Sequence, residues 1–181
     1  MARVVYTIGH STHVGEAFFA LLAPNGVRTL VDVRAIPGSR RHPQFGREAL
    51  GAACEAHGVV YRWMPELGGR RRSRRDSPHV GWEVAAFRAY ADYADTPEFA
   101  AALDALQVLA APQPTAFLCA ETLWWQCHRR LIADRLLVSG WTVLHIDARG
   151  HTTPHRLPDF ARVDAGRIVY DRGVTLELPK R

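Results

Sequence analysis

The feature that most constrains the fold of this 181-residue chain is the regular alternation of short apolar segments with helix-length segments. Strands that follow one another through helices pair in parallel, by right-handed crossovers. Segments that are apolar throughout also suit a sheet covered by helices on both faces. The pattern therefore predicts a three-layer α/β (αβα) fold with a mostly parallel sheet of about five strands. The predicted strands are Val4–Ile8, Thr29–Val33, Val59–Trp63, Thr115–Cys119 and Thr142–Ile146.

The segments between these strands carry helix signals. Thr96 and Pro97 are typical of an N-cap followed by the first residue of a helix, and Gly58 is typical of a helix end. The predicted helices are Val14–Ala23, Arg47–His57, Glu83–Tyr93, one that starts at Thr96, and Cys127–Val138.

The pattern changes after Asp147. Residues 151–158 are predicted to form a loop, and Ala161–Val163 with Arg167–Tyr170 to form a small hairpin. The length suits one domain. We expect a single α/β domain over residues 1–155 and a C-terminal extension over 156–181 that packs on it.

The composition of the chain indicates the cellular compartment in which the protein is expected. No apolar run approaches the roughly 18 residues of a membrane span, and the N-terminus lacks the apolar core of a signal peptide. Three cysteines, an odd number, favour reduced thiols over a disulfide framework. These features predict a cytoplasmic protein with no membrane partner, and they make no prediction of oligomeric state.

The basic character of the chain is local. The net charge is +5, and five arginines lie within Arg70–Arg75. Such a run binds phosphate groups, including those of nucleic acid, or simply forms an exposed, mobile loop that stays solvated. Composition leaves both interpretations open.

Polar side chains follow every predicted strand. In a parallel α/β sheet, ligands bind beyond the carboxyl ends of the strands. The pattern therefore predicts a single polar cleft there. The residues that follow the five strands include His10, Ser11, Asp32, Arg34, Ser39, Arg40, Glu66, Glu121, Cys127, His128, Arg129, Asp147, His151 and His155.

Cys127 is the candidate nucleophile or redox thiol. A predicted helix start and the cations that follow it favour a thiolate, although a buried, inert cysteine is equally compatible with the sequence. Glu121, His10 and His128 are the candidate proton donors and acceptors. Cys54, within a predicted helix, is expected in the core.

An anionic substrate is expected to contact a second set of residues. Guanidinium groups bind phosphate or carboxylate in a bidentate manner. Asp32 and Arg34 share one face of a strand, so they either pair for structure alone or hold the arginine toward a substrate. The candidate anion-binding residues are Ser11, Asp32, Arg34, Ser39, Arg40 and Arg129.

Cofactor signals are weak. The chain has neither a P-loop nor a GxGxxG sequence, so no nucleotide cofactor is predicted. Cys119, Cys127 and His128 offer soft ligands, with His10 or His155 as a further one, but their C-x7-C-H spacing differs from that of zinc fingers. A metal is therefore not favoured. The C-x5-R loop of cysteine phosphatases is also missing, because Trp125 and Ala133 stand where arginine is required.

Five short motifs occur in order along the chain. They are TIGHS at Thr7–Ser11, LVDVRAIPGSR at Leu30–Arg40, Tyr61 with LGG at Leu67–Gly69, CAE and CHR five residues apart, and His145-Ile146. These motifs resemble those of a widespread bacterial and archaeal group, the domain of unknown function 488 family. The resemblance covers about residues 4–155 and leaves out the arginine run and the tail. It implies no established activity, but it does imply that the motif residues share one site.

Three functions remain open from sequence. The first is a small enzyme that binds an anionic, phosphate-bearing or nucleotide-like molecule in a Cys/His/Arg/Glu cleft. The second is a nucleic-acid-binding module without catalysis, in which the arginine run contacts phosphates and Trp124, Trp125 or Tyr61 stack on bases. The third is a metal or thiol sensor.

Overall fold

The computed structural model describes residues 3–38 and 41–172. It contains a six-stranded sheet in the order β3-β2-β4-β1-β5-β6 and a separate two-stranded hairpin. None of the helices in the described part is both long enough and apolar enough to cross a bilayer.

Five parallel strands form most of the sheet, as predicted. Two of them, β4 and β5, have the bounds expected from the sequence. Strand β1 is central, because Ile8 pairs with Leu118 on one side and with Ile146 on the other. The strands are β1 (Val4–Gly9), β2 (Thr29–Asp32), β3 (Val60–Trp63), β4 (Thr115–Cys119) and β5 (Thr142–Ile146).

A sixth strand, β6 (Thr152–Pro154), pairs antiparallel with β5, so the prediction of a loop over this segment is wrong. Its three residues are all exposed. A short strand that contains proline is tolerated at a sheet edge, where one N–H group faces solvent. Such a strand has no apolar pattern by which a sequence could identify it.

The five helices lie where the sequence predicts them, with ends that differ by a few residues. They are α1 (Gly15–Leu22), α2 (Arg47–Ala56), α3 (Ala85–Ala94), α4 (Pro97–Ala110) and α5 (Arg129–Val138). Thr96 caps α4 as expected, since its hydroxyl accepts a bond from the Phe99 N–H at 3.3 Å. Helix α5 begins two residues later than predicted, because Cys127 is extended (φ −126°, ψ 150°) at the end of a short 3-10 turn.

Helices cover both faces of the sheet, which confirms the three-layer fold. On one face, Leu30 and Leu118 of the strands share a core with Phe18 of α1 and Leu50 of α2. Cys54 also lies in this core, fully buried, as predicted. Because successive side chains of a strand alternate between faces, the neighbouring residues pack against α3, α4 and α5. That second core includes Val31, Phe117, Val143, Tyr90, Leu106 and Leu131.

The predicted C-terminal hairpin forms from β7 (Ala161–Asp164) and β8 (Arg167–Tyr170). Ala165 and Gly166 both have positive φ, 46° and 81°, as the tight turn between twisted strands requires. Ile168 and Tyr170 are fully buried in the same core as α5. The division of the chain into residues 1–155 and 156–181 stays a prediction.

The strand order creates a crevice at the carboxyl ends of β1 and β4. These strands are neighbours, yet the helix that follows β1 packs on one face of the sheet and the helix that follows β4 packs on the other. The two connecting turns therefore diverge. This is the position at which open α/β sheets bind ligands.

Candidate functional site

A cavity of about 790 Å³ lies in this crevice. The predicted site residues His10, Ser11, Arg34, Glu121, Cys127 and His128 line it, together with Cys119. Asp32 and Arg129 are almost fully buried, with 0% and 1% of their surfaces exposed, and lie beneath the lining. Ser39 and Arg40 lie outside the described residues. Glu66, Asp147, His151 and His155, which also follow strands, do not line the cavity.

Backbone contacts hold the turns after β1 and β4 together at the cavity floor. The N–H groups of His10 and Ser11 donate to the carbonyls of Cys119 and Ala120, both at 2.9 Å. A Cβ atom on Gly9 would lie 1.9 Å from the Glu121 carbonyl oxygen, closer than any side chain allows. Glycine at position 9 therefore permits the approach that forms the cavity.

Asp32 and Arg34 form a buried ion pair at one wall. Nε and one terminal nitrogen of Arg34 donate to the two Asp32 oxygens at 2.8 and 2.5 Å, and the Tyr61 hydroxyl donates to Asp32 at 2.7 Å. The sequence left two roles open for this pair. Most donors of the guanidinium already have partners, so the wall is rigid and its charge largely neutralised.

His10 is held beside this pair as a neutral imidazole. Arg34 can only donate, so Nε2 of His10 accepts from it at 3.1 Å, while Nδ1 donates to the Ser11 carbonyl at 3.0 Å. Burial, together with the Arg34 charge, lowers the pKa of His10 to about 4. Both ring nitrogens are engaged, and the geometry therefore suits a positioning role better than proton transfer.

Two thiols and one imidazole meet at the opposite wall. His128 Nδ1 lies 3.6 Å from Cys127 Sγ and 3.8 Å from Cys119 Sγ. The other ring nitrogen of His128, Nε2, lies 3.1 Å from the Val33 carbonyl oxygen. A carbonyl oxygen only accepts, so Nε2 carries a proton, and Nδ1 faces the two sulfur atoms.

Arg129 lies behind Cys127 with only 1% of its surface exposed. Its Nε donates to Cys127 Sγ at 3.4 Å, and its terminal nitrogens donate to the Thr7 hydroxyl at 3.2 Å and to the Glu121 carbonyl. Among the described residues, no carboxylate forms an ion pair with Arg129. A buried cation without an anion is costly, by several kcal/mol.

The Cys127 sulfur is placed to supply that anion. Burial alone would raise the pKa of this thiol, but a hydrogen bond from Cys119 and the neighbouring His128 and Arg129 lower it well below its usual value. The hydrogen bond to Cys127, together with burial, raises the pKa of Cys119 well above the usual value. The pair therefore consists of a thiolate at Cys127 and a thiol at Cys119 that donates to it.

A chain of buried polar groups continues from Arg129 toward the hairpin. Hydrogen bonds join the Thr7 hydroxyl to His145 at 2.9 Å, His145 to His155 at 2.9 Å, and His155 to Asp134 at 2.8 Å. The Tyr170 hydroxyl also donates to Asp134, at 2.7 Å. Sequence reasoning gave no individual role to Thr7, His145 or Asp134, although the family resemblance implied that Thr7 and His145 belong to the shared site. The available signals were a histidine within an apolar strand and an aspartate among the apolar residues of α5.

The arginine run is only partly the exposed, mobile loop that was predicted. Arg71 is anchored, because its guanidinium lies 3.5 Å from the centre of the Tyr93 ring and donates to the Gly68 carbonyl at 3.0 Å. Arg74 pairs with Asp76 at 2.9 Å. Arg70 lines the cavity. The run therefore begins as part of the cavity rim.

The aromatic turn between β4 and α5 packs mainly onto the protein. The Trp124 ring stacks on His145, with ring centres 4.0 Å apart and planes 1° apart, and it covers the buried polar chain. Trp125 remains 46% exposed. Stacking on a base therefore stays a prediction for Trp125. Trp124 is not available for such stacking, because its ring already packs on His145.

Comparison with protein families gives a match to a family model described as Domain of unknown function DUF488, over residues 15–136. The chain belongs to the DUF488 family. The match includes Arg34, Cys119, Cys127 and Arg129, and it is narrower than the motif resemblance, since it leaves out His10 and His145. No curated protein and no solved structure matches the chain.

Proposed function

We propose that this DUF488 protein is an enzyme that uses the Cys127 thiolate as a nucleophile toward a small anionic substrate. The observation that carries the proposal is the buried guanidinium of Arg129, whose Nε donates to Cys127 Sγ at 3.4 Å while no carboxylate of the described residues pairs with it. A structural cysteine needs no such partner. Cationic neighbours of this kind are typical of reactive cysteines.

The charges around the cavity support an anionic substrate. Three arginines line it, Arg34, Arg41 and Arg70, against one carboxylate among the described lining residues, that of Glu121. Asp32 balances the charge of Arg34, but the lining as a whole still carries more arginines than carboxylates. An excess of positive charge in a concave site raises the local concentration of anions.

Chemistry at Cys127 takes the form of group transfer to sulfur. The sulfur lone pair forms a bond to the electrophilic atom of the substrate, and the bond to the leaving group breaks with its electron pair. Glu121 lines the cavity and is exposed, and in this proposal it donates a proton to the leaving group and so becomes a carboxylate. Water then attacks the group held on Cys127. The bond to sulfur breaks with its electron pair, which restores the thiolate, and the Glu121 carboxylate takes up the proton that the water loses.

Two alkylating reagents of similar size test the proposal, one anionic (iodoacetate) and one neutral (iodoacetamide). Each is applied to reduced, metal-free protein, and the modified cysteines are identified by peptide mapping. We expect Cys127 to react first, and the rate ratio of iodoacetate to iodoacetamide to exceed the ratio for a free cysteine peptide. The Cys54→Ser variant is the matched control and should behave as the unaltered protein does.

Two results contradict the proposal. If Cys119 or Cys54 reacts before Cys127 in the folded protein, Cys127 is not the nucleophile. If Cys127 reacts first but shows the rate ratio of the free peptide, the cavity does not select anions, and the anionic substrate class is wrong.

A further inference from the structure

Three soft ligand atoms converge at the cavity floor: Cys119 Sγ, Cys127 Sγ and His128 Nδ1 all lie within 4.8 Å of one another. The two sulfur–nitrogen distances are 3.8 and 3.6 Å. Zinc binds sulfur at about 2.3 Å and imidazole nitrogen at about 2.0 Å, so tetrahedral ligands of these types stand roughly 3.5–3.8 Å apart. The two sulfur–nitrogen distances therefore already match those between zinc ligands.

His128 is oriented as a metal ligand needs to be. Its Nε2–H group donates to the Val33 carbonyl at 3.1 Å, which leaves Nδ1 directed at both sulfur atoms, where it binds a metal once it carries no proton. Metal-bound histidines commonly make such a bond from the second ring nitrogen to a carbonyl or carboxylate. The ring is also confined by Gly69, where a Cβ atom would lie 2.6 Å from Nδ1.

We propose that Cys119, Cys127 and His128 form a binding site for a thiophilic divalent metal, zinc, with a fourth coordination position open to the cavity. Cys119 releases its proton to solvent when the metal binds, and the two thiolates then balance the charge of the ion. The Arg129 Nε–H group continues to donate to Cys127 Sγ. Two cysteines and one histidine are a donor set that selects zinc over harder ions. His10 and His155, the further ligands considered from sequence, both bond to other side chains. The fourth ligand is therefore water or a bound molecule.

Zinc at this site regulates the proposed reaction. A sulfur atom that coordinates zinc is no longer a free nucleophile, so the metal is a reversible inhibitor of Cys127. This regulatory role rests on the function proposed above, whereas the metal site itself rests on the three ligand atoms alone.

Zinc affinity is measured on reduced, metal-free protein by titration of zinc chloride against a chromophoric chelator. Cobalt(II) added in place of zinc gives visible absorption bands that report tetrahedral thiolate coordination. We expect one ion per chain and cobalt spectra typical of two thiolate ligands. Cys119→Ser should lower zinc affinity at least tenfold, and Cys54→Ser, the matched control, should leave it unchanged. Zinc should also block alkylation of Cys127, and the block should weaken in Cys119→Ser.

The outcomes separate the two proposals. Absence of one-to-one binding, or equal losses in Cys119→Ser and Cys54→Ser, would overturn the metal site while fast alkylation of Cys127 still supports the enzyme. One-to-one binding together with slow alkylation of metal-free Cys127 would support the metal site and contradict the proposal that Cys127 is a nucleophile. Tight binding that leaves Cys127 alkylation unaffected would show that zinc binds elsewhere.

Discussion

Arg129 and Cys127 are two residues apart, and the Nε–H of the first donates to the sulfur of the second at 3.4 Å. The two other hydrogen-bond partners of the guanidinium are neutral, the Thr7 hydroxyl and the Glu121 carbonyl. The sulfur is thus the site at which this buried positive charge is balanced. Loss of this hydrogen bond should therefore change the rate at which Cys127 reacts with an alkylating reagent.

Replacing Arg129 by Met should slow alkylation of Cys127 in metal-free protein by about ten- to a hundredfold. A hydrogen bond to a charged group contributes about 1.5–3 kcal/mol, and the thiolate loses that bond. The measurement is the iodoacetamide rate at neutral pH, with peptide mapping. Arg130→Met is the matched control, because the Arg130 guanidinium lies over the Trp82 ring instead, 4.8 Å from its centre. Equal alkylation rates in Arg129→Met and the unaltered protein would show that Arg129 does not stabilise the Cys127 thiolate.

The stability of the protein should fall as pH drops below about 6.5, partly through His145. Burial, and after it the charges of His155 and Arg129, lower the pKa of His145 to about 2. Because the unfolded chain takes up this proton near pH 6.5 and the folded protein does not, stability is lost by about 1.4 kcal/mol per pH unit over that range.

His145→Gln removes this proton uptake. It should be less stable than the unaltered protein at pH 7, since it loses bonds to Thr7 and His155, and the difference should shrink toward pH 4. Urea denaturation at several pH values measures the free energy of unfolding of His145→Gln and of the unaltered protein. The exposed His151→Gln variant is the control. A difference that stays constant with pH would contradict the neutral state of His145.

Tyr170→Phe should lower the free energy of unfolding by about 2 kcal/mol, because it leaves a buried Asp134 oxygen without the hydroxyl that donates to it. Tyr93→Phe is matched in chemistry but not in burial, since its hydroxyl donates to the Glu66 carbonyl near the surface. We expect that variant to lose less than about 0.5 kcal/mol. If Tyr170→Phe loses no more stability than Tyr93→Phe, the bond between Tyr170 and Asp134 contributes little to the stability of the fold.

Substitution of Arg70, Arg72, Arg74 and Arg75 by Ser should weaken binding to single-stranded nucleic acid and flatten its salt dependence. Arg71 is left in place because it packs on Tyr93. Filter binding or fluorescence anisotropy at several salt concentrations gives both quantities. Arg71→Ser alone should instead lower stability. Unchanged binding in the fourfold variant would leave the run with no role in binding polyanions.

The sequence predicted the parallel strands and the position of the site because both follow from local patterns. Strand β4 is bounded by Thr115 and Cys119 as expected, and the residues that follow parallel strands necessarily meet at one edge of the sheet. The partners of those residues could be predicted only where they are close in the sequence. Cys119 and Cys127 flank one strand-to-helix turn, and the sequence grouped them with His128 as possible ligands. Thr7 meets His145 only through the register of β1 and β5. Long-range register of this kind leaves no trace in a local pattern.

The central place of β1 limits how the chain can be divided. The segment that matches the family, residues 15–136, begins after β1 and ends before β5. A fragment with these ends would lack the strand that pairs with β4, and the apolar edge of β4 would be left open to other chains. We expect such a fragment to aggregate when expressed. The ends of the family match therefore differ from the ends of the unit that folds, because the sheet needs β1 between β4 and β5.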